Sequence, residues 1–342
     1  MSKNINVLLI GSYPPPYGGI SVHIERLYQF LIKKGDICKI LHTGSNNLQL
    51  TNNKDIFKIF EIIKLFKIKK TNPIIHIHVS ALRNLLKVFI LSKVFNGQRK
   101  IITIHSGTFS KKNKNRLIFR NVLLKKVLKS FSYIITVNTQ QKMLLVDKLK
   151  INTDKIFVIP AFIPPTASSR EFNKENISLI KNANKIKIVM SGYLLDFYGY
   201  ELVLEYLENN DQYLGFFIFY GTNSDESKKR IINRITNMKN AYYYFDLTPA
   251  GFNWVLKNSN IYVRNTDRDG DAVAIREAFY WGLSVCASNA VERPEGTILF
   301  TYNNEAEFKM AIQSINNQQG TNQNSININY ADKTYTLYER IG

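Results

Sequence analysis

The sequence is poor in cysteine: two in 342 residues, Cys38 and Cys286, far apart in the chain. That argues against a disulfide framework and fits a reducing compartment. Acidic residues are also scarce, 26 against 46 basic ones, for a formal net charge of +20. No uninterrupted apolar run approaches the roughly 18 residues of a membrane span. The opening segment MSKNINVLLIGSYPP holds only about five apolar residues before Gly11 and no cleavage site, so it is not expected to act as a signal peptide. The expectation is a protein that is soluble or lies on a membrane surface.

Hydrophobic residues make up 45%, enough for a substantial core, and the length implies two domains of ordinary size. The basic excess fits nucleic acid, an anionic membrane or phosphate-rich substrates. A plain drift of composition towards Lys, Ile and Asn is the alternative. The aromatic and basic residues form no recognised nucleic-acid motif, which argues against the first partner.

Apolar runs alternate with helical patterns. Strands are predicted over 4–12, 36–44, 72–80, 99–107 and 132–138, and helices over 18–35, 54–70, 83–95 and 115–131. A Pro-rich stretch, 159–176, reads as a linker. The pattern then restarts. Strands are predicted over 185–193, 213–221, 241–246, 261–265 and 283–289, and helices over 200–209, 225–238, 272–282, 304–315 and 330–341. Residues 316–328 read as an exposed loop. Continuous Val/Ile runs between helices imply parallel sheets covered on both faces, hence two doubly wound α/β domains facing a cleft. Such sheets bind ligands at the carboxyl ends of their strands.

Three places carry candidate chemistry. In PPPYGGISVHIERL, Gly18 and Gly19 open a helix whose free N–H groups suit an anion, with no Cβ in the way. The pattern is not G-x-G-x-x-G, so no dinucleotide fingerprint is supported. His76 and His78 alternate on one strand without a Cys or carboxylate cluster, so a core or cleft-lining role is expected rather than a metal. His105 ends another strand, where a substrate contact is expected.

The densest stretch is RNTDRDGDAVAIREAFYWG, 264–282. Asp271 reads as the N-cap of a helix beginning at Ala272. Ala272 and Ala274 leave the first-turn amides open to a phosphate. Asp269 and Gly270 lie just before the cap, and Asp269 is within reach of polar ligand groups. Glu277 lies two turns on, where a carboxylate can accept two hydroxyl hydrogen bonds from a ribose or other sugar diol. Arg264 and Arg268 can neutralise a diphosphate. Arg276 can do the same or pair internally.

An acidic residue, seven residues, then Glu, followed by Ala, Gly and Val before a strand, resembles the E-x7-E signature of retaining GT-B glycosyltransferases, specifically glycosyltransferase family 4. Here these are Asp269 and Glu277, then Ala278, Gly282 and Val285. PPPYGGISVHIERL looks like that family's glycine loop. TIHSG, VIPAFIPP and SGYLLDFYG fall where its donor-site His, interdomain linker and second-domain opening lie. The resemblance spans essentially the whole chain. It implies an acceptor domain over 1–165, a nucleotide-sugar domain over 166–328, and a helix over 329–342 that crosses back. It places Gly18 and Gly19 towards the donor diphosphate and the acceptor, His105 on the transferred sugar, Asp269 on sugar hydroxyls and Glu277 on the nucleotide ribose. No metal or resident cofactor is implied; the nucleoside-diphosphate sugar is a co-substrate.

Two departures stand out. The family's Arg and Lys that clamp the diphosphate are replaced by Tyr193 and Tyr198. Tyrosines hydrogen-bond phosphate but bring no charge. Arg264, Arg268 or Arg276 is expected to substitute.

The segment 54–70 joins Phe and aliphatic side chains to six lysines, and 111–130 is similar. Such helices can lie on an anionic membrane, at about 1 kcal/mol per Lys. The expectation is a metal-independent, retaining hexosyl-type transferase, peripheral on the cytoplasmic face of the cell membrane. It would move a sugar, from a UDP-sugar foremost, to a polyprenyl-linked or glycan acceptor in surface polysaccharide (O-antigen or capsule) assembly. The alternatives are a nucleotide-sugar isomerase or hydrolase on the same scaffold, and a non-catalytic binding subunit.

Overall fold

A computed structural model describes residues 4–44, 53–58, 61, 67–79, 85–105, 117–221, 226–269, 271–317 and 329–342. The chain divides into two compact units, Met1–Ile163 with Asn329–Gly342, and Pro164–Ile328.

The first unit carries a seven-stranded parallel sheet: β1 (Asn6–Gly11), β2 (Ile37–His42), β3 (Ile56–Lys58), β4 (Ile74–Val79), β5 (Lys100–Ile104), β6 (Tyr133–Thr136) and β7 (Ile156–Val158), in the order β3-β2-β1-β4-β5-β6-β7. Strand alternation divides its core. Val7 and Leu9 join one apolar cluster and Leu8 and Ile10 another. All six residues of β4 are buried, as expected of a parallel strand covered on both faces. The terminal helix Tyr330–Ile341 packs into the first of these clusters through Ala331, Leu337 and Tyr338.

The second unit repeats the plan with six parallel strands: β8 (Ile186–Tyr193), β9 (Tyr213–Tyr220), β10 (Ala241–Phe245), β11 (Ile261–Arg264), β12 (Ser284–Ser288) and β13 (Ile298–Phe300), in the order β10-β9-β8-β11-β12-β13. Phe217 and Phe219 face one cluster, Phe216 and Ile218 the other. In each sheet the chain reverses its winding between two central strands, β1 and β4 in the first unit, β8 and β11 in the second. Those are the points where a doubly wound sheet opens a crevice.

The helix expected over 54–70 is corrected. Ile56–Lys58 is an edge strand paired with β2, and a helical turn follows at 67–70, residues 59–60 and 62–66 lying outside the described ones. A short apolar run fits either period, and here pairing with β2 decided it. The expected linker 159–176 ends inside a helix, Lys174–Asn182, capped by the Asn173 side chain on Asn176 N at 2.8 Å. Two further helices were not anticipated. Thr139–Leu149 is capped by Asn138, and Pro249–Lys257 by Thr248 with Pro249 in its first turn. Such caps are worth about 1 kcal/mol each. The short strands β7 and β13 were also missed. The second of the two lysine-rich segments forms the helix Leu117–Lys129, preceded by residues outside the described ones. Of the exposed loop expected over 316–328, Asn316 and Asn317 instead close the helix Glu305–Asn317, and 318–328 lie outside the described residues.

Candidate functional site

The charged cluster of the second unit lies where β8 and β11 end side by side. Arg264 closes β11 and reaches across with Nη1 to donate to the Ser191 carbonyl of β8 at 2.7 Å. Its Nε donates to Asp269 Oδ2 at 2.9 Å and its Nη2 to Asp269 Oδ1 at 3.3 Å. Arg293, its side chain 2% exposed, donates to the same Oδ2 at 3.0 Å. It is anchored by Nε on the Ser288 carbonyl at 2.9 Å and Nη2 on Ser288 Oγ at 3.2 Å, at the end of β12. One carboxylate is thus held between two guanidinium groups that are themselves tied to strand ends. Burial alone pushes the Asp269 carboxyl up, but Arg264 and then Arg293 outweigh it and hold it below its ordinary range. Burial pushes Arg293 down, and Asp269 recovers only part of that.

The Arg264 guanidinium also lies over the Tyr198 ring, 4.8 Å from its centroid. Tyr198 reaches this place because position 192 is glycine: a Cβ there would fall 2.2–2.9 Å from the Tyr198 ring. Phe197 and Tyr200 hold the other sides of that ring, with centroids at 4.7 and 5.9 Å. Tyr198 is therefore a buried platform under a cation, whereas Tyr193, at the end of β8, is 42% exposed.

Glu277 is 5% exposed, on the helix Val273–Tyr280. Its Oε1 accepts from Asn253 Nδ2 at 3.0 Å, and Asn253 Oδ1 accepts from Trp281 Nε1 at 2.8 Å. This chain orients the carboxylate before any ligand arrives.

The remaining residues of this stretch are placed as follows. Asp271 is not the helix cap; Ala272 holds that position, and the Asp271 carboxylate instead binds Arg276 Nε at 2.9 and 3.0 Å. A nearby guanidinium is a stronger partner for a carboxylate than a backbone amide, which is why the capping rule failed. Arg276 thus takes the internal pairing of its two expected roles. Arg268 binds Asp267 at 2.6 and 2.8 Å and covers Phe197 at 4.8 Å. Gly270 lies outside the described residues. Sequence reasoning missed Arg293 and Asn253. Arg293 follows β12 in a turn without periodic signal, and Asn253 sits on a helix that was not anticipated.

The corresponding strand ends of the first unit hold neutral groups. His105 follows β5, and its Nε2 lies 3.2 Å from Nδ1 of His78. His23, on the helix Gly19–Lys33, brings its ring centroid to 5.2 Å from His105 and 5.4 Å from His78. Its Nδ1 meets the Ala161 carbonyl at 3.2 Å. A carbonyl only accepts, so Nδ1 carries the proton and Nε2 the lone pair. His76 is a core residue, bonded to Tyr338 Oη at 2.5 Å and Thr103 Oγ1 at 2.7 Å. Burial pushes His23 down to about 4, and burial first, then neighbouring rings, hold His76, His78 and His105 well below their ordinary value. All four are neutral at pH 7. Ring nitrogens of His23, His78 and His105 lie within 4.8 Å of one another. Neutral imidazoles can hold hydroxyl groups, or at that spacing a divalent cation after small side-chain rotations.

Gly18 caps the helix Gly19–Lys33 with extended backbone, and its N–H donates to Ser21 Oγ at 3.0 Å. A Cβ at Gly19 would meet nothing within 4 Å. No packing among the described residues requires that glycine.

No protein-family model and no curated protein matches the sequence. Solved structures do match. A glycosyltransferase from Rickettsia africae is 16% identical over 99% of both chains, with a TM-score of 0.70. Anabaena Alr3699/HepE in complex with UDP and glucose is 12% identical over 99% of this chain and 95% of that one, with a TM-score of 0.66. The lipopolysaccharide outer core galactosyltransferase WaaB is 11% identical over 98% of this chain and 100% of that one, with a TM-score of 0.62. This chain has the GT-B fold. At such identities the likeness is one of fold. Among the described residues, no helix is long and apolar enough to cross a membrane.

Proposed function

We propose that the protein is a retaining glycosyltransferase that moves a sugar from a nucleoside-diphosphate sugar, a UDP-sugar foremost, to a lipid-linked or glycan acceptor in surface polysaccharide assembly. One observation carries this reading: Asp269 is a carboxylate locked between two guanidinium groups at the β8/β11 switch point, and the helix that follows it in the chain carries a buried, pre-oriented Glu277. Glu277 accepts the ribose hydroxyls and Asp269 the hydroxyls of the transferred sugar. By the resemblance, Tyr193 and Tyr198 take the positions of the diphosphate clamp, and the Arg264 guanidinium over Tyr198 supports a cation relocated from it. Arg264 and Arg293 supply fixed positive charge as the diphosphate leaves, with no reorganisation at the moment of reaction and no metal. His105 takes a sugar hydroxyl as a neutral imidazole. Gly18 and Gly19 leave room for ligand atoms at the helix start, and Arg268, Arg276, Asp271 and Ala272 support the donor side. The net charge of +20 and the lysine-rich segments support a peripheral site on an anionic membrane, at the cytoplasmic face.

The test is thermal unfolding with UDP, GDP, ADP and CDP, for wild type and Glu277→Ala. A ligand at 100 times its dissociation constant stabilises by about 2.7 kcal/mol, several degrees for a unit of this size. A shift with one nucleotide, lost in Glu277→Ala, supports the reading and identifies the base. No shift with any of them sinks it in favour of a non-catalytic subunit. Turnover of a donor without acceptor would point to the isomerase or hydrolase instead.

A further inference from the structure

The first unit has a partly open pocket of about 100 Å³ at the ends of β1, β2 and β4. That is several times the roughly 10–15 Å³ needed to hold one water molecule. Its walls are mostly Ile, Val and Leu, and its polar members are Ser12, Thr43, His78 and Lys87; no acidic residue lines it among the described residues. His78 is 5% exposed, and its Nε2 is buried without a hydrogen-bond partner. Buried polar atoms are nearly always bonded, so an orphaned ring nitrogen beside a cavity points to an occupant. When His105 donates across the 3.2 Å contact to Nδ1, Nε2 of His78 carries the proton and becomes a donor. Lys87 spends one N–H on the Thr43 carbonyl at 2.7 Å and has two more to give. The lining is a cation and donors without a carboxylate, which selects an anion.

The same helix extends the site. Lys87, Ile90 and Val94 fall at i, i+3 and i+7 of Leu85–Val94, on one face. Ile90 is 51% exposed and Val94 43%. An apolar track therefore leads away from the cation over exposed surface.

We infer that this cavity seats the phosphate of a lipid phosphate, held by Ser12, His78 and Lys87, with its hydrocarbon chain over Ile90 and Val94. The inference deepens the acceptor side of the proposed function and rests on that reading. Inorganic phosphate shares the headgroup chemistry, and the experiment separates the two.

Calorimetric titrations of the full chain would compare geranyl phosphate, inorganic phosphate and geraniol, with circular dichroism to confirm that each variant is folded. Geranyl phosphate should bind at least tenfold more tightly than either of the others. Lys87→Gln should weaken it at least tenfold. Ile90→Ser with Val94→Ser should weaken geranyl phosphate and leave inorganic phosphate unchanged. Geraniol binding as well as geranyl phosphate, or no effect of Lys87→Gln, overturns the anion seat. Inorganic phosphate binding as tightly as geranyl phosphate, indifferent to the Ile90 and Val94 changes, overturns the lipid assignment. Nucleotide-induced stabilisation reports separately on the second unit. Its absence with the geranyl phosphate pattern intact would fail the transferase reading alone; its presence without that pattern would fail the subsite alone.

Discussion

The two units place their candidate chemistry at equivalent topological points and build it from opposite materials. At β1/β4 and the adjoining β5 the side chains are imidazoles, buried and neutral. At β8/β11 they are a carboxylate and two guanidinium groups, equally enclosed and charged. The difference lies in partners. An isolated ring deprived of water gives up its proton, since nothing nearby repays desolvation. Asp269 keeps its charge because two cations meet it and strand-end carbonyls satisfy their remaining donors. A sheet crevice supplies position only; pairing decides whether the group there is a neutral hydrogen-bonding partner or a fixed charge.

Acid should separate the two units most. A histidine whose folded pKa is lowered makes the unfolded chain the better proton binder. Its stability is whole above about 6.5 and falls as pH drops through that value towards the folded pKa, about 4 for His23. At pH 5.5 His23 should cost the first unit about 1 kcal/mol relative to neutral pH, and His76, His78 and His105, also lowered, should act in the same direction. Glu25, pushed up by burial, offsets a little of this. Asp269 has the opposite window: its contribution is present above its ordinary value of 3.8 and is lost only as pH falls through its lower folded value. Trp254 and Trp281, the two tryptophans of the sequence, both belong to the second unit. Urea unfolding followed by tryptophan fluorescence and by far-ultraviolet circular dichroism should therefore coincide better at pH 7.5 than at pH 5.5. Equal shifts of both probes on acidification would break the comparison.

Asp269→Ala tests the charged side. It leaves two guanidinium groups facing each other, one of them 2% exposed at its side chain. Removing one partner of a buried pair costs about 3–5 kcal/mol. The tryptophan-monitored urea midpoint should fall accordingly at pH 7.5. A loss below about 1 kcal/mol would mean that water already solvates both arginines.

Much of the fold was legible because parallel strands covered on both faces read as unbroken Val/Ile runs, as in NVLLIG and IIHIHV. What escaped has a common cause. The helices Thr139–Leu149, Lys174–Asn182 and Pro249–Lys257 are short, two of them nine residues and one eleven, and each is opened by an Asn or Thr cap. The edge strand Ile56–Lys58 is too short for a period to be measured. At the site, Asp269, Glu277 and Arg264 were legible because they crowd a strand–helix junction. Arg293 and Asn253 were not, because their relevance comes from pairings 24 residues away along the chain. The exchange of partners between Asp271 and Arg276 was likewise invisible to a capping rule that looks only at neighbours.

Two glycines carry the comparison down to single atoms. Gly192→Ala drives a Cβ into the Tyr198 ring, so it should cost about 1–3 kcal/mol and loosen the seat of Arg264. A double-mutant cycle with Tyr198→Ala should recover most of that loss; additive losses would place the strain elsewhere.

Gly19 should behave in the reverse way. It begins a helix, is not among the positive-φ glycines, and a Cβ there meets nothing within 4 Å. Alanine restricts the unfolded chain and suits a helix better, so Gly19→Ala should leave the protein unchanged or about 0.5 kcal/mol more stable. The methyl group would nonetheless occupy space in front of the first-turn amides. If a ligand approaches those amides closely, its affinity should fall even as the fold gains. Thermal unfolding without ligand and titration with the donor nucleotide-sugar measure the two effects on the same sample. A stabilised variant with undiminished affinity would show that Gly19 is merely a turn residue, and that only the second unit's glycine, held by Tyr198, is required by what touches it.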